Sequence, residues 1–369
     1  MTVSFFDYAR VYESEKNQVK SIIDDVLSRS DFILRKDLEI FEEEMRRYFD
    51  STFMVGVANG TDAIWLALQA LGIGKGDEVI IPSHTYIATA DAIHLVGGIP
   101  VLVDCDDDHL VSVEAIKEAI SPRTTCIIPV NLNGRACRLD DIVSIASSKG
   151  LAVIEDNAQG LGAQLNQKFA GTFGSAGTLS FFPAKNLGCY GDGGGIFVQD
   201  EEIARTLRQL RNHGRDETGK VISWGVNSRL DNLQAAILNS KLKFLSATLN
   251  KRQQLSSIYF ERLGDLEDIK LPPQILPGES RVDVFQNFEI EVGQREALMN
   301  FLGSRQIGFA QPWGGKAVHQ FELEGIKVRS LDKTESLFKR VLLLPMNQYL
   351  TTREVEQVCS TIREFYQGD

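Results

Sequence analysis

The stretch SFFPAKNLGCYGDGGGIF (180–197) sets one lysine, Lys185, between an apolar run and a glycine-dense hinge. An ammonium in such a place reads as a surface charge, an anion clamp or a reactive amine. A lysine amine becomes nucleophilic when desolvation or a neighbouring cation lowers its pKa, and it then forms a Schiff base with an aldehyde. The glycines at 188, 191, 193, 194 and 195 let the backbone come close to a ligand.

One strand unit upstream, VIEDNAQGLGA (153–163) ends an apolar run on Glu155 and Asp156. A carboxylate at the end of a buried strand costs several kcal/mol unless it is paired or hydrogen-bonded. It reads either as a structural acid held by a neighbouring turn or as the partner of a bound cation, and Gln159 is spaced to face the same way. A third piece is VANGTDAIWLALQAL (57–71), in which Asn59-Gly60-Thr61-Asp62 opens a well-patterned helix. This is either an ordinary N-cap supplied by Thr61 or Asp62, or a phosphate cradle built from free N–H groups and the Thr61 hydroxyl. One molecule reconciles the three. Pyridoxal 5′-phosphate offers a phosphate for Gly60 and Thr61, an aldehyde for Lys185 and a ring nitrogen for Asp156. An anion at that nitrogen keeps the pyridine protonated and makes the ring an electron sink.

The elements that must position these residues are legible around them. VIIPS (79–83), IPVLVDCD (99–106), TTCIIPVNL (124–132), LAVIEDNA (151–158) and GTLSFFP (177–183) read as buried strands. Amphipathic stretches such as SVEAIKEAIS and LDDIVSIASSKG lie between them. Continuous apolar strands alternating with helices predict an α/β fold, a mainly parallel sheet covered on both faces. Ligands in such sheets bind beyond the carboxyl ends of the strands. From Ser228 to about Leu263 the pattern predicts a long helical connection. Strand-like VDVFQNFEIEV and helical REALMNFLGSRQ and REVEQVCSTIREF then predict a small α+β domain, and LPPQILPGES predicts loops.

A chain of 369 residues with 43% hydrophobic and 24% charged residues suits a globular protein of two domains. The net charge of -11, without any basic block, argues against nucleic acid as a partner. No secretory leader is expected in MTVSFFDYARVYESEKNQV, and no apolar run has the roughly 20 residues of a membrane span. Five scattered cysteines without CxxC spacing predict reduced thiols and a cytoplasmic location. The five histidines show no HxxxH or HExxH spacing, so no metal site is expected.

ANGTDAIWLAL, HTYIATADAI, IEDNAQGLGA, SFFPAKNLGCYGDGGGIF and GVNSRLDNLQAAIL resemble the nucleotide-sugar aminotransferases of the DegT/DnrJ/EryC1/StrS family. The likeness is dense from about residue 30 to 245 and looser beyond. It implies the pyridoxal-phosphate-dependent transferase fold of type I, the aspartate aminotransferase-like architecture. The expected organisation is a large domain over 13–245 with a mostly parallel seven-stranded sheet. A small C-terminal domain over 246–369, joined by residues 1–12, and a homodimer with shared active sites complete it. Residue by residue, the resemblance makes Lys185 the lysine that carries the cofactor, Asp156 the acid on the ring nitrogen and Gln159 the amide near the phenolic oxygen. Gly60, Thr61 and Ser180 match phosphate contacts, and Tyr86 matches the aromatic that stacks on the ring, with a core tyrosine as the alternative. Asn227 and Arg229 match residues that reach the neighbouring subunit's site, the first at the phosphate. Arg229 is a candidate for the donor's carboxylate or the sugar, or else a helix-start cation paired with Asp231.

The implied function is transfer of an amino group from L-glutamate to C3 or C4 of a nucleotide-linked keto-sugar, in bacterial surface-glycan (O-antigen or other polysaccharide) assembly. Two departures concern the sugar. NLNG (131–134) followed by Arg135 stands where many relatives have an aromatic as in HLYG, and AQPWGGKAVHQ (310–320), with Gln311 and Trp313, stands where close relatives often have HYP. Gln311, Trp313 and the local cation Lys316 are therefore candidates on the substrate side. His213 in NHGRD reads equally as a site residue or a structural one. The alternatives are a sugar dehydratase on the same scaffold, which would carry histidine in place of Lys185, and a non-catalytic cofactor-binding regulator.

Overall fold

The computed structural model describes residues 2–275 and 280–368, so residues 276–279 of the LPPQILPGES loop lie outside the described residues. Helices α1 (Tyr8–Arg29) and α2 (Lys36–Tyr48) lead into the large domain. There β1 (Phe53–Val57), β2 (Glu78–Pro82), β3 (Ile99–Val103), β4 (Thr124–Ile127) and β5 (Ala152–Asp156) alternate with helices. Those helices are α3 (Gly60–Ala70), α4 (Ile87–Leu95), α5 (Val113–Ala119) and α6 (Leu139–Lys149). A short hairpin, β6 (Gln164–Leu165) and β7 (Lys168–Phe169), precedes β8 (Ala176–Ser180) and β9 (Gly194–Val198). Helix α7 (Glu201–Leu210) follows.

These strands form the expected seven-stranded sheet, in the order β1-β9-β8-β5-β4-β2-β3, and all run parallel except β9. Alternation along each strand feeds two cores. Ile80, Val101 and Val153 join one face, while Val79, Ile81, Leu102 and Ile154 join the other. Strand TTCIIPVNL ends early, at Ile127, because Pro129 has no N–H for the ladder.

The long helical connection is two helices, α8 (Asn232–Leu242) and α9 (Leu245–Leu263), broken at Lys243–Phe244. The break lets α8 pack on α1 and α2 while the far half of α9 enters a third core with Leu255, Tyr259 and Leu263. That core is closed by the antiparallel strands β10 (Ile269–Lys270), β12 (Phe288–Val292) and β14 (Val341–Leu344). Helices α10 (Arg295–Ser304) and α12 (Thr352–Gln367) cover it. The predicted single strand VDVFQNFEIEV is split. Arg281–Val282 (β11) pairs with β6, Phe285 turns the chain at a φ of 48°, and β12 starts only at Phe288. Two further elements tie the C-terminal third back to the large domain: Lys327–Val328 (β13) adds a parallel eighth strand beside β3, and α11 (Asp332–Phe338) holds its first N–H groups on Asp104.

Candidate active site

Strand β5 carries two adjacent acids and sends them to opposite faces. Glu155 is fully buried and accepts from the N–H groups of Gly171, Phe173 and Gly174 at 2.6, 2.6 and 2.9 Å. It is a structural acid. Asp156 lines a cavity of about 630 Å³ at the carboxyl edge of the sheet, together with Gly60, Thr61, Tyr86, Gln159, Ser180, Lys185 and Trp313. Its carboxylate accepts from the Thr89 hydroxyl at 2.8 Å and from Ala158 N–H at 3.2 Å, and Thr89 in turn meets Thr85 at 2.9 Å. Burial pushes the Asp156 carboxyl up, against the pull of Thr89, Ala158 and Lys185. A buried carboxylate with no full counter-charge calls for a cationic ligand group.

Lys185 follows β8 on a turn closed by its own N–H to Phe182 O at 2.8 Å. Its amine makes no hydrogen bond or ion pair among the described residues. Burial lowers its pKa to about 8, partly opposed by Asp156. The amine is therefore partly neutral near pH 8, as a nucleophile requires.

At the other end of the cavity, α3 is capped by Asn59, whose side chain accepts from Asp62 N–H at 2.8 Å. The cap is thus neither Thr61 nor Asp62, both of which lie inside the helix. Gly60 and Thr61 keep first-turn N–H groups that have no intrahelical partner. A Cβ on Gly60 would stand 3.0 Å from that of Ser180, so the glycine keeps the cradle open beside the serine.

Tyr86, just before α4, is 55% exposed and therefore no core tyrosine. Its ring lies 5.7 Å from that of Trp313, and both face the cavity. The Gln159 side-chain oxygen accepts from Asn133 N–H at 2.8 Å, which leaves its Nε2 as the free donor. The cavity thus brings together a lysine, a carboxylate, an aromatic ring, an amide donor and a helix N-terminus, a set whose chemistry suits a flat pyridine ring bearing a phosphate.

The remaining candidates lie elsewhere. Asn227 is exposed and Arg229 half-buried, and neither lines the cavity of its own chain. Arg229 donates to Asn212 at 3.1 Å instead of pairing with Asp231, and its Nε is buried without a partner. Gln311 opens the short turn 312–315 and is outside the cavity lining. His213 is exposed, with a φ of 59°, and Lys316 rests over the Phe321 ring at 6.0 Å. Arg135 is buried against Asp283 at 3.0 Å, so its charge holds a loop. Sequence reasoning missed Thr85 and Phe182 at the cavity, the buried Thr89 on Asp156, and Gln286 and Asn287 behind Lys185 and Gln159. Only the threonines left a signal, their four-residue spacing in HTYIAT.

The DegT/DnrJ/EryC1/StrS aminotransferase family model matches residues 13–363. The chain belongs to this family. Like other members it is a pyridoxal-phosphate-dependent aminotransferase, and its Lys185, Asp156 and α3 cradle suit that group. Among similar members is a protein of Acidithiobacillus ferrooxidans named UDP-N-acetyl-3-dehydro-alpha-D-glucosamine 3-aminotransferase, 39% identical over 96% of this chain and 95% of that one. A dTDP-3-amino-3,4,6-trideoxy-alpha-D-glucose transaminase of Streptomyces venezuelae is 36% identical over 98% and 96%. A member of Geobacillus stearothermophilus named pleiotropic regulatory protein is 37% identical over 99% of each chain. Among solved members, S. venezuelae DesV in complex with a ketimine intermediate superposes with a TM-score of 0.94 at 36% identity, covering 99% of both chains.

Proposed function

We propose that this aminotransferase moves the amino group of L-glutamate to C3 of a nucleotide-diphosphate-linked 3-keto-sugar, in the assembly of a bacterial surface glycan. The observation that carries the reading is the single cavity shared by Lys185, Asp156 and the α3 N-terminus. The choice of C3 over C4 is supported by the names of the Acidithiobacillus and Streptomyces relatives, both of which specify position 3.

Bound there, pyridoxal phosphate supplies an aldehyde to take up amino groups and a ring to hold the electron pair released at the neighbouring carbon. The chain's own residues do the rest. Gly60, Thr61 and Ser180 bind the phosphate, with Asn227 of a second subunit completing the contact. Asp156 holds a proton on the ring nitrogen, and Thr89 fixes the orientation of that carboxylate. Gln159 Nε2 donates to the phenolic oxygen. Lys185 Nζ would take the proton from the α-carbon of glutamate and, in the second half, would return a proton to the sugar carbon that receives the amine. Such a positioned base contributes about 10²–10⁴-fold in rate. Trp313 and Tyr86 form an aromatic wall against which a sugar can pack, with Gln311 and Lys316 on the neighbouring turn.

The reading includes a homodimer with shared sites. Asn227 and Arg229 lie off their own cavity, and beside them Val221, Ile222 and Trp224 are exposed, Trp224 by 96%. An apolar loop of that kind, next to two polar residues without a ligand, suits a partner's cavity. The reading also includes a cytoplasmic location, and no helix among the described residues is long and apolar enough to cross a membrane.

The test is a panel of UDP- and dTDP-linked 3-keto- and 4-keto-sugars with L-glutamate, scored by 2-oxoglutarate and amino-sugar formation. The expected result is turnover with 3-keto substrates and none in Lys185→Ala, which also lacks the visible absorption of a lysine-bound cofactor. Turnover confined to 4-keto-sugars would sink the C3 assignment. A regulatory role, suggested by the name of the Geobacillus relative, predicts instead a cofactor-loaded protein whose spectrum glutamate does not change.

A further inference from the structure

The peptide of Lys185 follows β8 on one turn bond to Phe182 O, and beyond it Asn186 Nδ2 donates to Leu161 O at 3.3 Å and Cys189 N–H to Phe181 O at 2.8 Å. A side chain with four rotatable bonds reaches attacking range reproducibly only from a fixed backbone. A further pair of bonds comes from the C-terminal third of the chain. Gln286 is 6% exposed, and its Nε2 donates to Ala184 O at 2.9 Å while its Oε1 accepts from Asn186 N–H at 2.8 Å. One side-chain amide thus grips the residue before Lys185 and the residue after it.

The grip is itself anchored. The fully buried Arg252 donates from one Nη1 to the carbonyls of Phe285, Gln286 and Met346, each at 3.1 Å. The neighbouring residue repeats the arrangement at the other side of the cavity. Asn287 Nδ2 donates to Asn133 Oδ1 at 2.9 Å, beside the Asn133 N–H that fixes the Gln159 amide.

We propose that Gln286 is the positioning residue for Lys185, holding its backbone at the depth where the amine meets the cofactor, and that Asn287 holds Gln159 through Asn133 in the same frame. Gln286 does not line the cavity, so it acts only through the lysine's peptide. The inference rests on the proposed aminotransferase chemistry at Lys185. It adds that the tether of that lysine comes from a segment 101 residues away along the chain.

The experiment compares wild-type protein with Gln286→Met, which keeps the length and removes both hydrogen bonds. A misplacement of about 1 Å costs on the order of 10²-fold in rate. The expected result is a fall in kcat of roughly 10–100-fold, with the KM for glutamate within about threefold. The pH midpoint for attachment of pyridoxal phosphate to the apoprotein also moves upward, as the amine leaves its desolvated position. A role in packing alone moves neither. Should Gln286→Met not fold, Gln286→Glu, which retains the acceptor for Asn186 N–H, carries the same test with a smaller loss expected. A folded, cofactor-loaded variant with wild-type kcat and midpoint overturns the proposal. Absence of amino transfer in the wild type would instead overturn the functional reading on which it rests.

Discussion

At the scale of single residues, the division of labour between Glu155 and Asp156 turns on strand geometry. Side chains alternate along β5, so one acid meets three backbone N–H groups and its neighbour meets a cavity. The sequence showed an unexplained acid at a strand end, and the choice of Asp156 followed from asking what cation could stand opposite. Lys185 was legible for a similar reason, a charge out of place among apolar residues. Thr89 left only its four-residue spacing from Thr85, which points to no carboxylate, and the fold alone reveals its hydroxyl 2.8 Å from Asp156. The lysine's pKa of about 8 carries a prediction. Only the neutral amine attacks an aldehyde, so attachment of pyridoxal phosphate to the apoprotein should quicken about tenfold between pH 7 and 9 and then level off. Following the visible absorption of the adduct against pH checks this. A rate that keeps climbing through pH 10 would mean an ordinary, solvated lysine.

At the scale of elements, the site is assembled where β1, β2, β5 and β8 end, as a parallel sheet dictates. Strands β2, β3, β4, β5 and β8 and the helix that cradles phosphate were readable from apolar runs and from the small polar cluster before α3. The split of VDVFQNFEIEV was not. Its alternation suits a strand throughout, and the turn at Phe285 is imposed by contact with the NLNG loop. Gly134 makes that contact possible. It has a φ of 84°, and a Cβ there would stand 2.5 Å from Gln286 N. Gly134→Ala should therefore cost about 1–3 kcal/mol and loosen the tether on Lys185. Thermal melting together with the rate of cofactor loss on dialysis measures both effects, and a variant with wild-type melting and cofactor retention would show that the loop has room to yield.

At the scale of the whole molecule, the C-terminal core is joined to the two cores of the large sheet by more than the α8–α9 connection. His109, on the loop after β3, is buried between Glu289 at 2.8 Å and Glu291 at 3.0 Å on β12, with His84 beside Glu289 and Lys270 and Arg340 on Glu291. Burial pulls the imidazole down, but the two carboxylates outweigh it and hold its pKa up to about 9. A base whose pKa rises on folding stabilises the fold fully below its unfolded value of about 6.5, and the contribution fades as pH climbs through about 9. His109→Gln should lower stability by about 2 kcal/mol at pH 6, and the gap from wild type should close above pH 9. Melting curves across that range decide it, a pH-independent gap counting against a charged histidine. The passage from the parallel sheet to a separate antiparallel core was legible in the change of pattern near residue 245. The returning strand β13 was not, since two residues leave no periodicity to read.

The account depends on Lys185 being the residue to which the cofactor is joined. Borohydride reduction of the loaded protein fixes that bond, and digestion with peptide mass analysis locates it. The predicted result is the pyridoxyl-phosphate mass on the peptide containing Lys185 and on no other. Label on a different lysine, or none after full loading, would contradict the account.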